Sequence, residues 1–83
     1  MTLHASPASL IDVKQIELQH AVETLSSTKI DDYRTMLRNG SPAPPIRIGQ
    51  WLRGHHIIVD GHHRYQAALL EGHATVLAIQ ELP

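Results

Sequence analysis

Apolar residues recur along the chain with two spacings, and the shorter spacing predicts four strands. Alternating apolar and polar residues, or a short β-branched run between turn formers, are typical of strands. Such patterns occur at residues 10–13, 45–52, 55–60 and 75–80. Residues 16–18 either extend the first strand or turn away from it, and the run at 57–59 is apolar enough for a buried strand.

The longer spacing predicts two helices. The first covers residues 28–39, where one apolar stripe recurs at helical intervals and Gly40 follows the last turn. The stripe consists of Ile30, Tyr33 and Leu37. The second covers residues 62–71, which are rich in Ala and Leu and end at Gly72. Residues 20–27 are predicted to form a loop or a short third helix.

The start of the first helix offers two capping residues and two acids. We expect Ser27 or Thr28 to cap it, with Asp31 and Asp32 in its first turn, where the helix dipole favours negative charge. Strands and helices alternate along the chain. The predicted class is therefore α+β, with a small mixed sheet and two to three helices.

Length and composition indicate one small folded domain. The chain has 83 residues, of which 42% are hydrophobic and 18% charged. We expect residues 1–9 to be disordered and residues 10–83 to form the domain. Because so short a chain buries a thin core, a homodimer or a bound ligand is expected to add stability.

The residues that are missing also restrict the function. The sequence has no cysteine, which excludes disulfides, thiolate chemistry and a Cys-ligated metal. Its first ten residues do not form a signal peptide, and no apolar run approaches the roughly 18–20 residues that cross a membrane. We therefore expect a cytoplasmic protein without a membrane partner.

Charge is unevenly distributed, although the formal net charge is only −1. Residues 33–64 contain five arginines and one acid, whereas the flanking segments are both acidic. Four of the seven histidines also lie in this middle segment. The pattern predicts a local positive field for an anionic ligand.

The segment Asp60-Gly61-His62-His63-Arg64 joins a predicted strand directly to a predicted helix. The backbone N–H groups of a helix start, with the positive end of the dipole behind them, suit a phosphate. Arg64 adds a planar fork for phosphate oxygens, and the two histidines add donors or proton-transfer groups. The segment therefore predicts phosphate binding. Other readings remain open: a plain turn glycine, an Arg64–Asp60 tie, or Asp60 as a helix cap.

An apolar strand, a Gly-x-x-Arg helix start and an Ala-rich helix resemble the ParB/sulfiredoxin superfamily. The resemblance extends to the Gly40-Ser-Pro-Ala-Pro-Pro-Ile-Arg-Ile48 segment and to the closing strand, and so covers nearly the whole chain. The sequence of the turn, Asp60-Gly-His-His-Arg-Tyr65, is most similar to that of ParB-like domains, including the free serine kinases. The resemblance implies a ParB/sulfiredoxin-like fold with a phosphate-binding core.

The departures from the family matter for the activity. Sulfiredoxins have a reactive Cys at the position of His62, so their activity is not expected here. Chromosome-partitioning ParB has Glu there and continues into a helix-turn-helix domain, which does not follow within these 83 residues.

From the residues and the resemblance, the binding and catalytic roles are assigned as follows. The expected phosphate or nucleotide ligands are Gly61, His62, His63, Arg64, Pro45, Ile46 and Arg47. The candidate catalytic residues are His62, Asp60 and His63. Asp60 is also the expected ligand of a Mg²⁺ that arrives with ATP or CTP. The spacing of the histidines matches no usual zinc signature.

Three functions follow from this assignment. The first is nucleotide binding, with Mg-dependent hydrolysis or phosphoryl transfer as the enzymatic form. The second is a DNA-binding protein or ParB-like nuclease that grips backbone phosphate with the same turn. The third is a non-catalytic interaction module.

Overall fold

A computed structural model describes residues 7–17, 25–41, 43–50 and 54–81 of the chain. Within these ranges there are five strands, two α-helices and one turn of 3-10 helix. They are β1 (Ser9–Asp12), the 3-10 turn (Val13–Gln15), β2 (Ile16–Glu17), α1 (Ser27–Arg38), β3 (Ile46–Gln50), β4 (His56–Asp60), α2 (His62–Leu70) and β5 (Thr75–Gln80). The predicted α+β class and mixed sheet are confirmed. Neither described helix has the length and apolar content that a membrane crossing requires.

The strands form one mixed sheet in the order β1-β5-β3-β4-β2. The β1–β5 and β3–β4 pairs are antiparallel, and the β3–β5 and β2–β4 pairs are parallel. The 3-10 turn explains why the chain does not continue β1 into β2. It carries the backbone from one edge of the sheet to the other, so residues 16–17 turn away from the first strand instead of extending it, and residue 18 lies outside the described residues. The predicted loop or third helix lies mostly outside the described residues, at 18–24.

The core lies between the sheet and α2. Its buried members are Ile16, Ile46, Ile48, Ile58, Tyr65 and Ala78. Because the described helices cover one face of the sheet only, β4 is not buried on both faces as its composition predicts. Ile58 is buried, whereas Val59 points to the other face and is 47% exposed.

The cap of α1 differs from the expected one. Ser26 is the N-cap, and its hydroxyl accepts a hydrogen bond from the Lys29 N–H at 3.3 Å. Because the helix begins one residue earlier than the pattern indicates, Asp31 and Asp32 fall in its second turn rather than its first. β1 likewise begins at Ser9, the last residue of the expected disordered segment.

The turn between β4 and α2 depends on Gly61. This residue has φ +106°, in the left-handed region, and a Cβ atom there would lie 2.7 Å from Ile46 Cγ2 and 2.9 Å from Ile46 Cβ. Ile46 begins β3 and is 1% exposed, so it has little freedom to move. The close approach fixes the start of α2 against the sheet.

Both helices end at a shared ion-pair cluster. Arg34 Nε donates to one carboxylate oxygen of Glu71 at 2.6 Å, and Arg38 donates to both oxygens at 2.9 Å. Arg34 and Arg38 are therefore not a simple solvated face. The hydrogen bonds from Arg38 and Arg34 hold the pKa of Glu71 below its usual value.

The depressed pKa of Glu71 predicts an acid-dependent contribution to stability. The stabilisation should be complete above the ordinary carboxyl pKa of 4.5 and disappear as the pH falls from there through the lower folded-state pKa. The unfolding temperature of Glu71→Gln should therefore lie below that of the wild type at pH 7, and the two should converge in acid. Glu81→Gln, which removes an exposed ion pair with Arg47, is the control and should lower the unfolding temperature at pH 7 less than Glu71→Gln does. A difference for Glu71→Gln that is independent of pH would contradict this account.

The packing of Gly61 predicts a second, independent effect on stability. Gly61→Ala must adopt a left-handed conformation and also displace Ile46, for a combined cost of about 2–5 kcal/mol. Gly72→Ala is the matched control, because Gly72 has φ +76° and nothing within 4 Å of an added Cβ. Gly72→Ala should lower the free energy of unfolding only by the cost of the left-handed backbone conformation, about 1–2 kcal/mol. Denaturant unfolding measures both, and equal losses would refute the packing explanation.

Candidate functional site

The start of α2 opens into a polar pocket of about 570 Å³. It is bounded by α1 on one side and by the β4–α2 turn on the other. Its lining residues are Lys29, Asp32, Tyr33, Met36, Asp60, Gly61, His62, His63 and Arg64. The α1 members recur at helical intervals, so one face of α1 forms the whole opposite wall.

The first turn of α2 points its backbone donors into this region. The N-cap is Gly61, which has no side chain, and no side-chain hydrogen bond caps the helix within the described part of the chain. Asp60, an alternative cap, instead accepts a hydrogen bond from Arg64. Among the described residues, no capping carboxylate therefore neutralises the positive end of the helix dipole.

His63 connects the two helix starts. Its Nε2 accepts a hydrogen bond from the Ser26 N–H at 3.0 Å. An imidazole nitrogen that accepts carries no proton, so this contact requires the neutral ring with its proton on Nδ1. Because Ser26 also caps α1 through the Lys29 N–H, His63 helps to place Lys29 beside the pocket.

Arg64 is held by protein groups. Its Nη1 donates to the carbonyl oxygens of Pro45 at 2.7 Å and Pro44 at 3.2 Å, and its Nη2 donates to Asp60 at 3.3 Å. The guanidinium carbon lies 5.9 Å from the centre of the Tyr33 ring, and the side chain is only 15% exposed. Arg64 thus ties the segment before β3 to the turn and, beside Tyr33 of α1, lines the polar pocket.

The structure brings together five of the residues that the sequence singled out and separates three others from them. Residues 60–64 all line the polar pocket, and His62 is half-buried there. In contrast, Pro45, Ile46 and Arg47 do not line it. Ile46 is in the core, Pro45 contributes a carbonyl to Arg64, and Arg47 is an exposed residue paired with Glu81.

Four pocket residues were not predicted as site residues. They are Lys29, Asp32, Tyr33 and Met36. Their helical spacing was visible in the sequence, but the sequence did not indicate which face of α1 would meet the turn.

The positive field expected over residues 33–64 is largely neutralised. Four of its five arginines are ion-paired: Arg34 and Arg38 to Glu71, Arg47 to Glu81, and Arg64 to Asp60. Arg53 lies outside the described residues. Two of these acids, Glu71 and Glu81, belong to the C-terminal segment, which the fold places next to the arginines. In the polar pocket the side-chain charges balance, with Lys29 and Arg64 against Asp32 and Asp60, and the α2 dipole adds a partial positive charge at the helix start.

Among the described residues, acidic and histidine side chains do not form a complete metal site on their own. Across the described ranges, no group of three or more His, Asp or Glu side chains could hold a metal ion. Asp60, with 57% of its side chain exposed at the pocket, fits instead the single carboxylate that a nucleotide-bound Mg²⁺ needs, because that ion keeps most of its water and phosphate ligands.

Comparisons with known proteins support the fold. No protein-family model matches the sequence, and no curated protein matches it either. Among solved structures, sulfiredoxin from Arabidopsis thaliana aligns with a TM-score of 0.76 and 18% identity over 92% of this chain and 85% of its own. A free serine kinase in complex with AMP aligns with a TM-score of 0.78 and 15% identity, over 94% of this chain.

A third structure is the C-terminally truncated chromosome-partitioning protein ParB from Caulobacter crescentus complexed with CTP-gamma-S. It aligns with a TM-score of 0.77 and 18% identity over 94% of this chain. A further structure of this ParB contains the centromeric parS site, with a TM-score of 0.68 and 18% identity over 89% of this chain and 38% of that one. The chain spans 32% of the kinase chain and 46% of the ParB chain with CTP-gamma-S. At these identities the similarity establishes the architecture: the chain has a ParB/sulfiredoxin-like fold.

Proposed function

We propose that the polar pocket binds the phosphates of a nucleotide. The observation that carries this proposal is the start of α2, whose N-cap is a glycine without a side chain and which opens into a pocket beside Lys29. Backbone N–H groups, the helix dipole and an ammonium group then converge on one region. Gly61 keeps the backbone there free of a side chain.

The size and the opposite wall of the pocket suit the rest of a nucleotide. A volume of about 570 Å³ is within the roughly 300–1,000 Å³ range of small-molecule sites. Tyr33 and Met36 on α1 supply an apolar surface for a ribose or a base. Pro45 and Ile46, which the sequence analysis placed among the expected nucleotide ligands, do not line this pocket, because Arg64 stands between them and the polar pocket.

Two solved structures with this fold contain nucleotides or their analogues. The free serine kinase structure contains AMP, and the Caulobacter ParB structure contains CTP-gamma-S. They support a nucleotide as the ligand class here. Asp60 would hold the accompanying Mg²⁺, which would offset phosphate charge.

Lys29 provides a direct test of nucleotide binding. In thermal-shift measurements with ATP, CTP, GTP and ADP, with and without Mg²⁺, a ligand at 100 times its dissociation constant should stabilise the wild type by about 2.7 kcal/mol. Lys29→Met should weaken binding by about tenfold or more, because it removes a charge-assisted contact to phosphate. Lys14→Met is the matched control, since Lys14 is exposed on the 3-10 turn, and it should bind normally. Equal effects of the two variants would exclude the polar pocket as the phosphate site.

Turnover, if the wild type has it, is proposed to depend on His62. An imidazole at this position can transfer a proton to or from a reacting oxygen. His62→Gln keeps a polar side chain of similar size but removes the titrating group. Nucleotide binding should therefore be nearly unchanged, while the hydrolysis or transfer rate falls by roughly 10²–10⁴-fold. An active His62→Gln enzyme would assign the chemistry to His63 or Asp60 instead, and a wild type that binds without turnover would identify a binding module.

DNA is the second candidate ligand, supported by the ParB structure that contains the parS site. The same helix start would then contact backbone phosphate, either for binding or for nuclease cleavage. The ion pairing of four arginines makes this surface less cationic than the sequence suggests. Competition between duplex DNA and nucleotide for the wild type and Lys29→Met distinguishes one shared site from a separate DNA surface.

A further inference from the structure

A second, apolar pocket lies on the other side of Arg64 and Tyr33. Its volume is about 280 Å³. The side chains that matter most for its chemistry are Leu10, Leu37, Ala43, Val76, Leu77 and His73. Arg64 and Tyr33 line both pockets, so the two share a wall without sharing their other described lining residues.

The apolar pocket exists because the stripe of α1 is only partly packed. Ile30 is buried, but Tyr33 and Leu37 farther along the stripe are half-buried and line the pocket. Across from them, Leu10 and Leu77 are directly paired in the β1–β5 register and are 68% and 39% exposed. Aliphatic walls on both sides favour an apolar ligand, because its binding removes this surface from water.

The polar groups at this pocket are cationic or neutral. Among its described lining residues none is acidic, whereas Arg64 and His73 both contribute. Three of the five N–H groups of Arg64 are used in its hydrogen bonds to protein oxygens. His73 is held at the end of α2 by its backbone, since its N–H donates to the Ala68 carbonyl at 3.0 Å.

We propose that the apolar pocket is a separate binding site for a small monocarboxylate with an aliphatic body. The aliphatic walls would enclose the body of the ligand, and Arg64 with His73 would face the carboxylate. A volume of about 280 Å³ suits a ligand smaller than a nucleotide. The inference does not depend on nucleotide binding, because it rests on the lining of the other pocket.

Hexanoate and hexan-1-ol are the probes, since they share a chain length and differ in charge. In NMR titrations of the full chain, hexanoate should shift the methyl signals of Leu37 and Val76 with a dissociation constant on the order of 1 mM. Hexan-1-ol should bind at least threefold more weakly, because it lacks the anionic group that Arg64 and His73 would contact. Ala43→Leu partly fills the pocket and should weaken hexanoate binding about tenfold. Ala74→Leu is the matched control at an exposed position outside the pocket and should bind like the wild type.

His73→Gln provides a second variant that leaves the aliphatic walls intact. It should weaken hexanoate binding while hexan-1-ol binding stays the same. Equal affinity for the two probes, or equal affinity of Ala43→Leu and Ala74→Leu for hexanoate, would overturn the proposal. Methyl signals that respond to protein concentration but not to hexanoate would overturn it too, because a second copy of the chain would then cover the pocket. Nucleotide titrations of the same variants test the polar pocket separately, so a failure of the apolar pocket to bind hexanoate can be distinguished from a failure of the polar pocket to bind phosphate.

Discussion

The distance between Gly61 and Ile46 leaves no room for a side chain at the turn from β4 to α2. Ile46 is the first residue of β3 and part of the core, so the contact sets the start of α2 relative to the sheet. The same glycine serves as N-cap without supplying a capping side chain. The constraint that packs α2 on the sheet therefore also leaves its positive end open to the polar pocket. Packing alone accounts for glycine at position 61, and phosphate binding would use a backbone that the fold already requires.

Arg64 and His63 connect the β4–α2 turn to the segments around it. Arg64 ties the carbonyl groups of Pro44 and Pro45 to Asp60, and His63 receives the N–H of Ser26 at the start of α1. Both side chains thus organise the pocket through protein contacts. A phosphate placed here would meet backbone donors and Lys29 first, and it could engage Arg64 directly only through the N–H groups that these carbonyl and carboxylate acceptors do not use.

Local patterns in the sequence predicted most of the elements, and long-range contacts explain most of the differences. The strands at β1, β3 and β5 and both helices follow from apolar spacing and from Gly40, Gly61 and Gly72. The face of α1 that carries Lys29 and Met36 could not be assigned, because its partner, the turn at residues 60–64, is distant in the sequence. Local charge counts were misleading for the same reason: Glu71 and Glu81 lie outside the basic segment but pair with its arginines. The apolar run at 57–59 predicted a buried strand, but its composition does not reveal that Val59 lies on an exposed face of β4.

Backbone NMR of the wild type during titration with Mg-nucleotide tests the phosphate assignment most directly. Binding at the polar pocket should produce the largest amide shifts at Gly61, His63 and Arg64, with smaller ones at Lys29. Titration with inorganic phosphate should shift the same amide signals, because inorganic phosphate and the nucleotide present the same phosphate group to the start of α2. Saturable binding whose largest shifts instead lie at the Arg34–Arg38–Glu71 cluster, with the α2 start unchanged, would contradict the account.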